Sequence, residues 1–205
     1  MQIAVLGTGS VGQTLSAALS QLGHEVVVGS RQAPPATFAD AAAFGELVIN
    51  CTSGMHSLAA LRLAGAEALA GKVLIDVANP LDFSDGFPPR LAVAPGDSLG
   101  AQLQREFPDT RVVKALNTVT ASVMVQPGLL AEPTDLLIAG DDADAKAQVV
   151  SLLAEFGWNH DRVRDLGAIE QAKLAESYLP LWLALMAVMG TPEFNIRIVG
   201  VDNPS

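Results

Sequence analysis

Residues Gly7-Thr8-Gly9-Ser10-Val11-Gly12 carry three glycines at the G-x-G-x-x-G spacing, which suits a backbone that must curl around a diphosphate. Gly7 permits a tight turn, Gly9 lets the main chain approach the pyrophosphate, and Gly12 allows a helix to pack closely on the preceding strand. The free N–H groups and partial positive charge at that helix's N-terminus would meet the anion. In a chain with 18 glycines the pattern alone is weak, and a glycine turn without a ligand is the simpler alternative. The surroundings strengthen it. Gln2 to Leu6 is a short apolar run, and Val11, Leu15, Ala18, Leu19 and Leu22 recur at helical spacing from Ser10 onward. Gly23 stops that helix and Glu25 to Gly29 reads as the next strand, so the motif sits inside a βαβ unit of about thirty residues.

The unit ends in Ser30-Arg31. A site for NAD places an Asp or Glu here, roughly 20 residues beyond the glycines, to accept from the ribose hydroxyls. A carboxylate would repel a 2′-phosphate, whereas Ser30 can donate to one and the Arg31 guanidinium can pair with it or stack on adenine. These residues point to NADP(H), against the alternative that Arg31 is a solvated loop cation.

The elements that must hold these residues continue the alternation. A short helix near Asp40 to Phe44 precedes a strand at Leu47 to Cys51, a helix at Ser57 to Leu69 and a strand at Val73 to Val77. An irregular segment from Asn79 to Gly96 follows, then a helix at Leu99 to Phe107, strands at Arg111 to Ala115 and Asp135 to Ala139, and a helix from Asp144 to Phe156. A strand near Arg162 to Asp165, a long helix from Ile169 to Met189 and a closing strand at Asn195 to Val199 complete the chain. Continuous apolar strands alternating with helices predict an α/β fold, a doubly wound, mostly parallel sheet of the Rossmann NAD(P)-binding type. The reading divides the chain into a dinucleotide-binding domain, residues 1-165, and a small helix-and-strand extension, residues 166-205, packed on the same body.

Other chemistry-bearing residues are sparse. His24 lies in a helix-to-strand turn, His160 in a polar loop, and His56 beside the expected crevice, where it would touch cofactor or substrate. Cys51, in an apolar strand, reads as an inert buried thiol, and Asp141, Asp142 and Asp144 as a helix cap complementing the dipole. No nucleophile with a base and no metal-ligand spacing stands out, and hydride transfer between two rings needs chiefly that the protein orient them. With 205 residues, 50% of them hydrophobic, the chain builds a real core. Its formal charge of −10 argues against nucleic acid as a partner. The single cysteine, the missing basic leader and an apolar run from Tyr178 to Met189 that is too short for a bilayer predict a cytoplasmic protein outside the membrane. The helix carrying Tyr178, Leu181, Trp182, Leu185, Met186 and Met189 is apolar nearly all round, which suggests a homodimer interface or packing on the sheet.

The sequence resembles the NADPH-dependent deazaflavin (coenzyme F420) reductases. The likeness rests on the glycine turn, on Gly23-His24-Glu25-Val26-Val27-Val28-Gly29-Ser30-Arg31, on Val112-Val113-Lys114-Ala115-Leu116-Asn117-Thr118 and on Ile138-Ala139-Gly140-Asp141-Asp142, and covers nearly the whole chain. The cytoplasmic domain of the six-transmembrane metalloreductases is similar in the same places. The resemblance implies hydride transfer between NADP(H) and a small-molecule acceptor, coenzyme F420 or a flavin such as FMN or FAD. It also implies that Thr52, Ser53 and Gly54 line the cofactor channel and that Ala78, Asn79 and Pro80 lie near the nicotinamide, with Asn117 on the same rim. All three segments follow strands, where open α/β sheets bind ligands. Asn79 would orient the carboxamide, unless Asn-Pro simply forms a turn. An imine or ketone reductase and an NADP-binding sensor without turnover are the alternatives.

Overall fold

The computed structural model describes residues 1–200, so the last five residues of the expected 166-205 extension lie outside the described residues. Strand β1 (Gln2–Leu6) leads through the glycine turn into α1 (Ser10–Gln21), followed by β2 (Glu25–Ser30), β3 (Ala36–Thr37), α2 (Phe38–Phe44), β4 (Leu47–Asn50), α3 (Ser57–Ala64), α4 (Ala66–Leu69) and β5 (Val73–Asp76). The second half adds a hairpin of β6 (Leu81–Asp82) and β7 (Arg90–Leu91), then α5 (Leu99–Glu106), β8 (Arg111–Lys114), α6 (Ala121–Val125), β9 (Leu136–Gly140), α7 (Ala143–Glu155), β10 (Val163–Asp165), α8 (Ala172–Ser177) and α9 (Leu179–Met189).

Eight strands form one sheet in the order β10-β9-β8-β5-β4-β1-β2-β3, and every neighbouring pair is parallel except β8 with β9. Both faces are covered, as the apolar strands require. Alternate residues of β1 serve opposite cores: Ile3 and Val5 pack with Leu15, Leu19 and Leu152, while Ala4 and Leu6 pack with Phe38, Leu61 and Leu103. From β1 the chain moves to β2 and then returns to β4 on the other side of β1. That reversal opens a crevice at the strands' carboxyl ends, the usual ligand position in such sheets.

The departures from expectation are local. The helix expected from Ser57 to Leu69 breaks at Gly65, whose φ of 93° only glycine adopts at little cost. The long C-terminal helix is a 3₁₀ turn at Ile169–Gln171 followed by α8 and α9, which part just before Pro180, a residue without an N–H to continue the ladder. The closing strand at Asn195 to Val199 does not form. That segment hangs on Asp135 instead, whose N–H donates to Ile196 O while its carboxylate accepts from Ile198 N at 2.7 Å. By length and composition the 169–189 run would suffice to cross a bilayer. Here Glu176, inside that run, is fully buried against the sheet.

Glu176 belongs to the network that sets the rim. Lys114, at the end of β8, is 0% exposed, and its ammonium donates to Asp76 Oδ2 at 2.8 Å, meets Glu176 Oε1 at 3.0 Å and donates to the Ala78 carbonyl. Asp76 Oδ1 accepts from Asn50 Nδ2 at 2.8 Å, and Asn50 Nδ2 also donates to Ser57 Oγ at 3.0 Å. Glu176 in turn caps α5, accepting from Leu99 N and Gly100 N at 2.9 and 3.1 Å. Burial opposes the Lys114 charge, but Asp76 and Glu176 outweigh it and raise its pKa above the ordinary 10.5. Lys114→Met leaves two carboxylates without their cation and should cost about 3 to 5 kcal/mol in urea unfolding. Because the folded pKa is raised, this contribution is complete below pH 10.5 and is lost as pH rises through the folded value, so the gap between wild type and variant should narrow above that pH. A gap that stays constant to pH 12 (about 1.5 units above the ordinary pKa) would contradict the assignment.

Candidate functional site

Two clefts meet at the switch point. The larger, about 850 Å³, is lined by the glycine turn Gly7-Thr8-Gly9, by Ser30, Arg31 and Gln32 after β2, and by His56 with the exposed face of α3. The smaller, about 380 Å³, is bounded by Ser10 and Val11, by Gly54, by Ala78 and Asn79, by Asn117 and by Leu179 and Trp182 of α9. Cys51, Thr52 and Ser53 line both. The result is one elongated site with a waist, the shape an extended dinucleotide needs if its two nucleoside halves lie on either side of a diphosphate.

At the waist the main chains approach too closely for side chains. A Cβ on Gly7 would stand 2.6 Å from the Cys51 carbonyl oxygen, and one on Gly12 would stand 2.1 Å from the Gly7 carbonyl oxygen. Both glycines therefore close the turn by contact, as expected. Gly9 has no atom within 4 Å of its Cβ position, so that face of the turn is open. It is the N-cap of α1, where no side chain caps the helix and no acid stands in the first turn. The N–H groups and dipole end of α1 are left for an anion. These residues fit a dinucleotide diphosphate.

Beyond the waist, Arg31 is exposed on the floor of the large cleft. Ser30 Oγ instead serves its own turn, donating to the Gln32 carbonyl and accepting from Gln32 N. His56 lines this large cleft and is absent from the small one, which places it away from the narrow slot. His24 binds Glu155 at 3.0 Å, and Asp142 caps α7 through Ala145 N at 2.7 Å. Cys51, expected as a buried thiol, is only part-buried and borders both clefts; desolvation, reinforced by Asp76, pushes its thiol far above the ordinary range.

The walls of the small cleft are locked from behind. Thr52 Oγ1 donates to Asn50 Oδ1 at 2.7 Å and shares a hydrogen bond with Ser57 Oγ at 2.8 Å. Gly54 lies against the next loop so closely that a Cβ would fall 2.1 Å from Asn79 O and 2.6 Å from Pro80 N. Pro80 is thus buried as packing and lies outside both clefts. Asn79 Nδ2 donates to Asn117 O at 2.8 Å, and Asn117 Nδ2 donates back to Asn79 Oδ1 at 3.0 Å. The Asn79 side chain therefore holds its neighbour and is not free to turn. Leu116, just before Asn117, has φ 63°, a left-handed conformation that costs a branched residue about 1 to 2 kcal/mol. Sequence reasoning missed the Asp76, Lys114 and Glu176 cluster behind this wall; a lysine and an aspartate ending otherwise apolar strands were its only trace.

Comparison with known proteins agrees with this geometry. A family profile described as "NADP oxidoreductase coenzyme F420-dependent" matches residues 2–80. The F420-dependent NADP reductase of Methanothermobacter marburgensis is 32% identical, over 98% of this chain and 99% of its own. The metalloreductase STEAP3 of Rattus norvegicus is 28% identical over 88% of this chain, which corresponds to 38% of that longer protein. A crystal structure from Arthrobacter sp. FB24, itself provisionally assigned as an F420-dependent NADP reductase, superposes with a TM-score of 0.93 at 50% identity, covering 98% of this chain and 100% of that one. A glycine turn that fits a diphosphate, the full-length match to a reductase and the shared sheet converge, and the chain belongs to the F420-dependent NADP reductase family of NADP-dependent oxidoreductases.

Proposed function

We propose that the protein moves hydride between NADP(H), held across the two clefts, and coenzyme F420, held in the small cleft against the nicotinamide. The observation that carries this reading is the waist at Cys51, Thr52 and Ser53, which joins a nucleotide-sized cleft to a slot of about 380 Å³. When bound, the nicotinamide and the deazaflavin supply the hydride chemistry between themselves. The chain's residues bind and orient. Gly9 and the start of α1 hold the diphosphate, and Arg31 meets the 2′-phosphate, with Ser30 shaping its loop. Thr52, Ser53 and Gly54 form the floor on which the nicotinamide lies, while Ala78 and Asn117 form its side. Leu179 and Trp182 exclude water from the slot, which strengthens every polar contact inside it.

The cofactor assignment has a direct test. Arg31→Ala should weaken NADPH binding by about 1.5 to 3 kcal/mol, the range for a hydrogen bond to a charged group, and leave NADH nearly unchanged. Equal losses for both would remove Arg31 from the phosphate. The acceptor assignment is tested by anaerobic mixing with NADPH and F420, FMN or FAD, following nicotinamide oxidation and acceptor reduction together. Fast turnover with F420 and little with the flavins is expected. Turnover with a flavin alone would replace the acceptor, and saturable NADPH binding with no turnover at all would leave a binding module.

The same reading includes a homodimer formed through α9, a helix whose outward Leu181, Val188 and Met189 remain 55%, 85% and 53% exposed although it is apolar on every side. Continuity with the slot supports it, because Leu179 and Trp182 of the same helix line the cleft. Light scattering should give twice the mass of 21.3 kDa for wild type and the monomer mass for Val188→Glu. A monomeric wild type would refute the interface.

A further inference from the structure

The segment that leaves β5 runs the length of the small cleft. Val77, Ala78, Asn79, Leu81 and Phe83 all line it, passing from buried at Val77 and Ala78, through half-buried at Asn79 and Leu81, to 57% exposed at Phe83. Phe83 therefore stands at the mouth. It and Trp182 carry the two aromatic rings among the residues that line this cleft, and the Trp182 ring is already stacked on Phe194 with centroids 5.4 Å apart. An exposed phenylalanine needs no explanation by itself. What singles this one out is how its backbone is held. Asp82 and Asp85, on either side of it, are both bound by Arg90, whose guanidinium donates to Asp82 Oδ2 at 3.0 and 3.1 Å and meets Asp85 Oδ2 at 2.7 Å. Ser84 N donates to Asp82 Oδ1 and Gly86 N to Phe83 O, each at 2.9 Å. At the root of the hairpin Ala92 N donates to Pro80 O at 2.7 Å, and Asn79 is tied to Asn117. A hairpin with only two residue pairs, Leu81 with Leu91 and Asp82 with Arg90, is marginal alone, and these contacts fix its turn without covering the ring. Phe87 is the contrast: it is on the same turn and 63% exposed, yet it lines neither cleft.

We infer that Phe83 is the ring on which the hydride acceptor stacks as it enters the small cleft. This rests on the proposed function and specifies what its slot selects. Hydride transfer sets the acceptor ring face to face with the nicotinamide, so one face is taken by the cofactor and the other is left for the protein. With the nicotinamide on the floor at Thr52, Ser53 and Gly54, the acceptor is the outermost ligand, and Phe83 is the aromatic surface at that level. A phenyl ring has no polar atom, so it meets the acceptor through the flat of its π-system and is indifferent to the polar groups at the acceptor's edge. The class it selects is a planar fused ring, which deazaflavins and flavins share. An aliphatic imine or ketone offers nothing to stack on and gains little from the contact.

Equilibrium binding tests this without turnover as the readout. F420, and separately FMN, is titrated by ligand fluorescence in the presence of NADP⁺, and NADPH binding is measured in parallel, on wild type, Phe83→Ala, Phe83→Trp and Phe87→Ala. Phe83→Ala should weaken acceptor binding about three- to tenfold, as loss of one aromatic contact implies, with NADPH affinity within about twofold of wild type. Phe83→Trp keeps a ring and should bind the acceptor within about twofold of wild type, while Phe87→Ala should change neither ligand. Because the ring is exposed, Phe83→Ala should unfold at the wild-type temperature and keep the wild-type mass in light scattering. A lower unfolding temperature or an altered mass would assign the ring to the fold or to a subunit interface and overturn the inference. Unchanged acceptor binding in Phe83→Ala, an equal loss in Phe87→Ala, or a loss confined to NADPH would overturn it too. Wild-type protein that binds NADPH but neither F420 nor FMN would overturn the proposed function itself, an outcome separate from any failure of the variants.

Discussion

An ammonium group with no access to water must find its counter-charges inside the protein, and Lys114 finds two, Asp76 and Glu176, which approach it from different elements. Neither carboxylate would be tolerable there alone, since an unpaired buried charge costs several kcal/mol. The three groups are thus held together by mutual necessity, and the arrangement has geometric consequences. Asp76 fixes Asn50 and through it Thr52 and Ser57; the ammonium fixes the Ala78 carbonyl; Glu176 fixes the start of α5 and anchors the chain two residues before Tyr178. Floor, side and roof of the small cleft are joined to one cation. A hydrophobic cluster of equal volume could match its stability, yet a non-directional contact would not set the relative positions of three loops.

The second constraint is steric. At the waist the loops after β1, β4 and β5 come within the width of a missing methyl group, through Gly7 against Cys51 and Gly54 against Asn79 and Pro80. The crevice at the switch point owes its existence to the topology, but its narrowness at this point follows from those glycines. Larger residues would force the loops apart, and the two clefts would lose their common wall.

What was legible in the sequence follows from how local each feature is. The glycine turn, the first helix and the loop after β2 are encoded within thirty contiguous residues, and the structure forms each of them there. The alternation of apolar strands likewise gave the sheet, because burial on both faces leaves a direct mark on composition. Features held by contacts between distant residues were not legible. The 195–199 segment has the apolar look of a strand, but Asp135 receives it in place of a ladder, and nothing in either segment alone announces that pairing. Ser30 and Asn79 were of the right type for ligand contact, while the structure gives their side chains to Gln32 and Asn117. His56 borders the larger cleft, and its position after β4 alone does not tell which half of the crevice it faces.

The same division by locality separates the two halves of the site. The glycine turn is written in a short contiguous stretch, in keeping with a family profile that matches residues 2–80. The small cleft is assembled from the ends of β4, β5 and β8 and from α9, which follows Glu176, itself drawn into the sheet by Lys114. Substitutions on α9 therefore change one wall of the small cleft without disturbing the glycine turn. Substitutions at Lys114 or Asp76 cannot be confined in that way, since they release all the walls together. A protein built on this plan can vary one wall of its small cleft through a single helix while its glycine turn stays fixed.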